Sequence, residues 1–225
     1  MKESSQQTSF RVYEAAIMRH VDLYKLTITA CVEKALSFAH SPERPSAKAV
    51  LDSLIASKQL RTDEFPSGEK YYTRYGASRP SNTQTIDYDL ATLWLCFMEP
   101  KLRFYRIETT ELRSLMPFPP HHHIRHVIGE HNDGNVVYRV YPTAVDVRTT
   151  LKRLKHFVSE LRNKHRLGDW LNNGDYGFVI CCETEQKKLQ LADSITSTRN
   201  GSRLADDARM VVTTTPTSET LGLQD

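Results

Sequence analysis

The stretch AKAVLDSLIASKQLRTDEFPSGEKYYTRYG, Ala47 to Gly76, changes its period partway along. In its first half Val50, Leu51, Leu54 and Ile55 recur at spacings of three and four, which puts them on one stripe of a helix, while Lys48, Ser53, Ser57 and Lys58 lie largely elsewhere. Ser46 stands where an N-cap would accept from the first free amides. From Leu60 onward the helical spacing is lost. LRTDEF and EKYYTRYG read as two extended segments around Pro66-Ser67-Gly68, residues suited to a turn.

Two further helices are predicted upstream. One opens at Ser9-Phe10, where Phe10, Tyr13 and Ile17 recur at helical spacing with Arg11, Glu14 and Arg19 between them. The other runs from about Thr27 to Ala39 through Ile28, Val32, Ala35 and Leu36, and prolines at 42 and 45 stop it. Three helices and a hairpin make a winged helix-turn-helix, predicted over residues 1–79. Such a fold places a helix in the major groove and uses backbone contacts to set register. The candidate DNA contacts are Arg44, Lys48, Lys58 and Arg61 around the third helix, with Lys70, Arg74 and Arg79 on or after the wing. Asp63, Glu64 and Glu69 put negative charge on the same wing, so a protein-interaction module stands as an alternative. Tyr71 and Tyr72 read as packing residues of the wing rather than as nucleophiles.

ASRPSNTQT, residues 77–85, is polar and reads as a connector, with the domain boundary near Arg79. Beyond it IDYDLATLWLCFMEP is an apolar helix expected to cover one side of a sheet, and ELRSLM is a short helix capped by Thr110. HIRHVI and NVVYRVY form a hairpin around Asn132-Asp133-Gly134, with Val136, Tyr138 and Val140 on one face and Val137, Arg139 and Tyr141 on the other. A long amphipathic helix follows in AVDVRTTLKRLKHFVSELRNKH, where Val147, Leu151, Leu154, Val158 and Leu161 make the apolar stripe. Its other side carries Arg148, Lys152, Arg153, Lys155, Arg162, Lys164 and Arg166 against Glu160. Arg148, Lys152 and Lys155 are added to the candidate DNA contacts. YGFVICC is apolar throughout, as a strand buried on both faces would be. A helix in EQKKLQLADSI and a strand in RMVVTTT complete residues 80–225, predicted to be a three-layer α/β domain with a mixed sheet and a tail loose from about residue 216.

The element order, with Ala47, Leu51, Leu54, Ile55, Leu60, Arg61, Tyr71, Tyr72, Thr73, Arg74 and Gly76, resembles the replication-relaxation family of bacterial mobile elements such as plasmids. The resemblance covers most of the chain. It implies an N-terminal winged helix followed by a domain similar to the restriction-endonuclease-like fold, α+β overall. Nucleases of that fold hold Mg²⁺ with an Asp and a second acidic residue and use a Lys to help activate water. Where the pattern calls for Pro-Asp this chain has Pro120-His121, Arg139 and Tyr141 stand at the next acidic positions, and neither strand carries a Lys. Glu130 and Asp133 fall in the turn. The expectation is therefore a scaffold without nuclease activity.

Composition narrows the remaining classes. Hydrophobic residues at 39% and charged residues at 25% support a packed core. No window is long and apolar enough for a bilayer span, and MKESSQQTSF lacks the apolar segment of a signal peptide, so a cytoplasmic location is expected. A net charge of +3 is too mild to establish nucleic-acid binding without regard to where the charge lies. Cys31, Cys96, Cys181 and Cys182 show no CxxC spacing and read as core thiols. No glycine-rich phosphate loop or GxSxG elbow occurs.

Five of the nine histidines lie in PFPPHHHIRHVIGEHNDG, Pro117 to Gly134. His121 and His123 would share a strand face and could anchor a metal, whereas His126 would point the other way. The expectation is no metal and no cofactor, with a metal-dependent nuclease built on these histidines as the alternative. The function expected is that of a non-catalytic DNA-binding accessory or regulatory protein in replication, transfer or transcription control. Its expected partners are duplex DNA, other proteins of such a complex and a second copy of the chain.

Overall fold

The computed structural model describes residues 2–37, 44–80, 82–116, 124–143, 145–163, 165–197 and 204–222. The chain is mixed α/β and divides into two compact units, residues 1–98 with 218–225, and residues 99–217. Helix α4 (Thr83–Phe97) therefore belongs to the first unit, whereas the sequence reading placed the boundary near Arg79.

In the first unit α1 (Lys2–Tyr24), α2 (Thr29–Ser37) and α3 (Ala47–Ala56) precede an antiparallel ribbon, β1 (Leu60–Glu64) and β2 (Lys70–Arg74). Tyr13, Ile17, Val21, Val32, Val50, Leu51, Leu54 and Leu60 close one core, as the stripe in Ala47–Ile55 requires. The first helix begins at Lys2 rather than at Ser9, and the second begins two residues later than expected. Thr27 instead pairs with β2: its amide donates to Tyr72 O at 2.9 Å and its carbonyl accepts from Tyr72 N at 2.8 Å. Ser46 caps α3 by accepting from Ala49 N at 3.2 Å. Its C-terminus is closed by Lys58 N to Ile55 O at 3.0 Å and Gln59 N to Leu54 O at 2.9 Å, the two bonds of a Schellman motif, with Lys58 at φ +53°.

A second core joins Tyr24, Leu26, Cys31, Phe65 and Tyr71 to Leu90 and Leu93 of α4 and to Leu221. The C-terminal segment expected to be loose is thus packed: Ser218 is buried, its amide donates to Asp87 Oδ1 at 2.8 Å, and its carbonyl accepts from Ser67 N at 3.2 Å. Two leucines, Leu221 and Leu223, in a polar tail are a weak pattern, and only the chain's return to this core reveals the role of Leu221.

The second unit is a five-stranded sheet in sequence order: β3 (Phe104–Tyr105), β4 (His126–His131), β5 (Gly134–Pro142), β6 (Tyr176–Cys182) and β7 (Arg209–Thr214). The first two pairings are antiparallel and the last two parallel. Helices α5 (Thr109–Leu115), α6 (Val147–Arg162), α7 (His165–Asn173), α8 (Glu185–Thr196) and α9 (Leu204–Asp207) all contribute to one core with Ile128, Val137, Tyr141, Phe178 and Ile180. Their core residues lie against one face of the sheet, and Val127, Tyr138, Val140 and Val179 on the other face are buried as well. The long basic helix ends early, at Arg162. A Cβ on Gly168 would stand 2.7 Å from Arg162 O, so glycine lets α7 approach the end of α6.

On the other face Tyr138 lies across two neighbouring strands. A Cβ on Gly129 or on Gly177 would stand 2.8 Å from its ring, and the latter would also be 2.6 Å from Arg209 O. Gly177→Ala is therefore expected to cost about 1–3 kcal/mol by overpacking, read as a lowered urea midpoint. Lys58→Gly is expected to stabilise the chain by about 1 kcal/mol in the same measurement, because glycine has no Cβ to strain at positive φ.

Candidate nucleic-acid interface

The cations selected in the first unit divide into engaged and open groups. Arg61 donates from Nε to Asp63 Oδ2 at 2.8 Å and Thr73 Oγ1 at 3.0 Å, and from Nη1 to Ala77 O at 2.9 Å. Asp63 also takes Arg79 Nη2 at 3.1 Å. Arg74 makes a two-pronged bond to Asp22 at 2.7 and 2.9 Å, tying the ribbon to α1. Lys48 is paired with Asp52 one turn along α3. Arg44, Lys58 and Lys70 are exposed and make no ion pair among the described residues. The outward face of α3 presents Lys48, Ala49, Asp52 and Ala56, a nearly neutral surface. Tyr71 is buried and stacked on Phe65 at 4.5 Å, and Tyr72 lies 3.4 Å from Thr29 Oγ1, both in packing roles.

Helix α6 in the second unit is different. Asp146 caps it by accepting from Thr149 N at 2.9 Å, and Leu154, Val158 and Leu161 bury its inner stripe. Arg148, Lys152, Arg153 and Lys155 are all exposed, and none has an ion-pair partner among the described residues. Near the end of the helix Glu160 lies 3.7 Å from His156, and Arg162 is paired with Asp207 at 2.8 Å. The cationic ridge therefore occupies the first two turns. Arg148, Lys152 and Lys155, spaced i, i+4 and i+7, lie on one line of the helix, and Arg153 is exposed farther round it.

The ridge begins beside a cleft of about 560 Å³ at the carboxyl ends of β5 and β6, lined by Asp146, Arg148, Glu183, Thr184, Lys187 and Gln190. The carboxyl edge of parallel strands is where open α/β sheets hold ligands. Here Lys187 is engaged by Thr143 O at 2.9 Å and Glu183 Oε1 at 3.2 Å, so the cleft carries both signs of charge.

His121 and His123 lie outside the described residues, as does Pro120. Among the described residues no group of three or more His, Cys, Asp or Glu could hold a metal. His126 and His131 point to opposite faces of β4: His131 Nε2 meets Tyr138 OH at 2.8 Å, and His126 Nε2 meets Tyr176 OH at 3.1 Å. Asp133 in the turn is bound to Arg209 at 2.5 Å. Cys31, Cys181 and Cys182 are buried free thiols, and burial pushes all three up in pKa, Cys31 to about 12, which makes them unreactive. Arg106 and Tyr176 were not singled out from the sequence. Their nearness to His126 and Arg139 follows from strand register, which no local pattern displays.

Two buried histidines couple folding to pH. Burial lowers His20 to about 4, and burial reinforced by Arg139 and Arg106 lowers His126 to about 3. His20 sits 2.9 Å from Thr27 Oγ1 and packs edge-on against Phe97 at 4.8 Å. Since the unfolded values lie near 6.5, the unfolded chain binds more protons between pH 6.5 and these folded values, and stability is lost as pH falls through that window. Urea unfolding from pH 7 to about 5 should show a slope that steepens to about 1.4 kcal/mol per pH unit for each histidine toward pH 5, and His126→Gln should remove one proton from it. An unchanged slope in the variant would contradict the assignment.

No family model, no curated protein and no solved structure matches this chain.

Proposed function

We propose that the chain is a non-catalytic DNA-binding protein: a winged helix-turn-helix joined to a nuclease-like domain that offers α6 to the phosphates of a duplex. The observation that carries the reading is the row of Arg148, Lys152 and Lys155 along one side of the first half of α6, with no ion-pair partner for any of them among the described residues. From Arg148 to Lys155 this row spans roughly 10 Å of helix axis. Duplex DNA carries one negative charge per about 1.7 Å, so such a row has phosphates to meet along its whole length.

The first unit's helix order, its ribbon and the Thr27–Tyr72 bridge support the winged-helix part of the reading. Its contribution to DNA contact falls to Lys58, Lys70 and Arg44, because Arg61 and Arg74 hold the ribbon together. Arg139 and Tyr141 at positions where a nuclease needs acidic groups support a scaffold without cleavage. The role as an accessory or regulatory protein of a mobile element rests on the resemblance of the sequence to the replication-relaxation family.

Fluorescence anisotropy with a labelled duplex between about 50 and 200 mM salt tests the proposal. Three phosphate contacts should give a log–log slope near −2.7, and Arg148→Ala/Lys152→Ala/Lys155→Ala should remove most of it while weakening binding to all sequences alike. Binding that ignores salt, or is unchanged in the triple variant, would overturn the proposal and favour a protein partner.

A further inference from the structure

Strand β7 forms one end of the five-stranded sheet and, among the described residues, pairs only with β6. Thr215 N donates to Cys182 O at 2.9 Å, which carries the parallel register one residue past the Cys182↔Thr214 pair. In a parallel ladder a residue turns its N–H and C=O to the same neighbour, and the next residue turns both the other way. Arg209, Val211, Thr213 and Thr215 therefore face β6. Met210, Val212 and Thr214 direct their N–H and C=O groups away from the sheet, and no backbone group elsewhere among the described residues bonds to them. These residues are half-buried rather than enclosed, and Met210 and Val212 pack their side chains against the core beneath the helices, which fixes the edge in place.

Other strands at an edge are blunted. β3 has two residues, and β1 carries Arg61, Asp63 and Glu64. Short or charged edges discourage further pairing. β7 has neither device. Arg209 at its start is held by Asp133, the run Met210–Thr214 is uncharged and rich in β-branched residues, and the first proline is Pro216.

This open edge is its own complement. Antiparallel pairing about a two-fold axis at Val212 sets Val212 opposite the partner's Val212, and Met210 opposite the partner's Thr214. The outward residues 210, 212 and 214 are symmetric about that axis, so every open N–H meets an open C=O of the other copy. An axis at 211 would leave Thr214 without a partner, and one at 213 would leave Met210 facing a proline. The facing residues are neutral, so no like charges meet. We propose that β7 is a dimerisation edge, through which two copies of this chain join their sheets in an isologous antiparallel pair centred on Val212. Arg148, Lys152 and Lys155 take no part in the pairing, so the interface does not depend on duplex binding.

Sedimentation equilibrium of the full chain without DNA, between about 1 and 100 µM, should show a reversible monomer–dimer equilibrium. Val212→Pro should weaken association by about tenfold or more, because the ring removes an outward N–H from each copy and spares the bonds to β6. Directly opposed residues of this kind stand about 5.5 Å apart at Cα, within reach of a disulfide. Under oxidised glutathione Val212→Cys should therefore cross-link into a dimer much faster than Thr214→Cys, whose position faces Met210 instead. A chain that stays monomeric at every concentration, forms open-ended assemblies, or dimerises unchanged with Val212→Pro would overturn the proposal. If the proline variant fails to fold, the cysteine variants decide: equal cross-linking at 212 and 214 contradicts the pairing.

Discussion

Strand β6 is buried at every one of its seven positions and pairs in parallel with both neighbours. Parallel neighbours can be joined only by a crossover, and crossovers between twisted strands are right-handed. Two such steps in the same direction along the sheet, β5 to β6 and β6 to β7, carry α6, α7 and α8 to one face. Everything chemically notable in the second unit depends on that placement. It seats the apolar stripe of α6 against Val137, Phe178 and Ile180, which turns the four cations of its first two turns outward. It also encloses the His126–Tyr176 pair while leaving Arg139 against a half-buried Phe157.

The opposite face is governed by shape. Tyr138 reaches over β4 and β6 because both offer glycine beneath its ring, and Phe104 meets the same ring edge-on at 5.4 Å. Neither glycine has a positive φ, so their role is close approach rather than backbone freedom. The first unit depends on charge in a different way. Asp22 and Asp63 capture Arg74, Arg61 and Arg79, cross-linking the ribbon to itself and to α1. Cations that look available in the sequence become structural there, and the surface left on α3 is close to neutral.

Much of this was legible locally. The stripe of α3, the ribbon with its Gly68 turn, the hairpin faces of β5, the two-sided burial of β6 and the outward basic side of α6 all follow from periods of 3.6 and 2. Other features were not legible. The polar stretch before α4 has the composition of a connector, yet α4 itself packs with Leu26 and Tyr71. The tail has almost no apolar signal, yet Ser218 is anchored by Asp87, 131 residues away in sequence. The break between α6 and α7 depends on Gly168 meeting a carbonyl, and glycine by itself does not announce such an approach.

Residue spacing within one helix or strand is enough to show which side of each element is apolar and which is charged. Which charges remain open and which groups meet was set by the tertiary structure: Arg61 and Arg74 are held inside the first unit, Arg148, Lys152, Arg153 and Lys155 have no ion-pair partner among the described residues, and Arg139 is paired across the strands with His126. The physical reason is that neutralisation and convergence depend on distances between residues far apart in the chain, and strand register and helix packing set those distances.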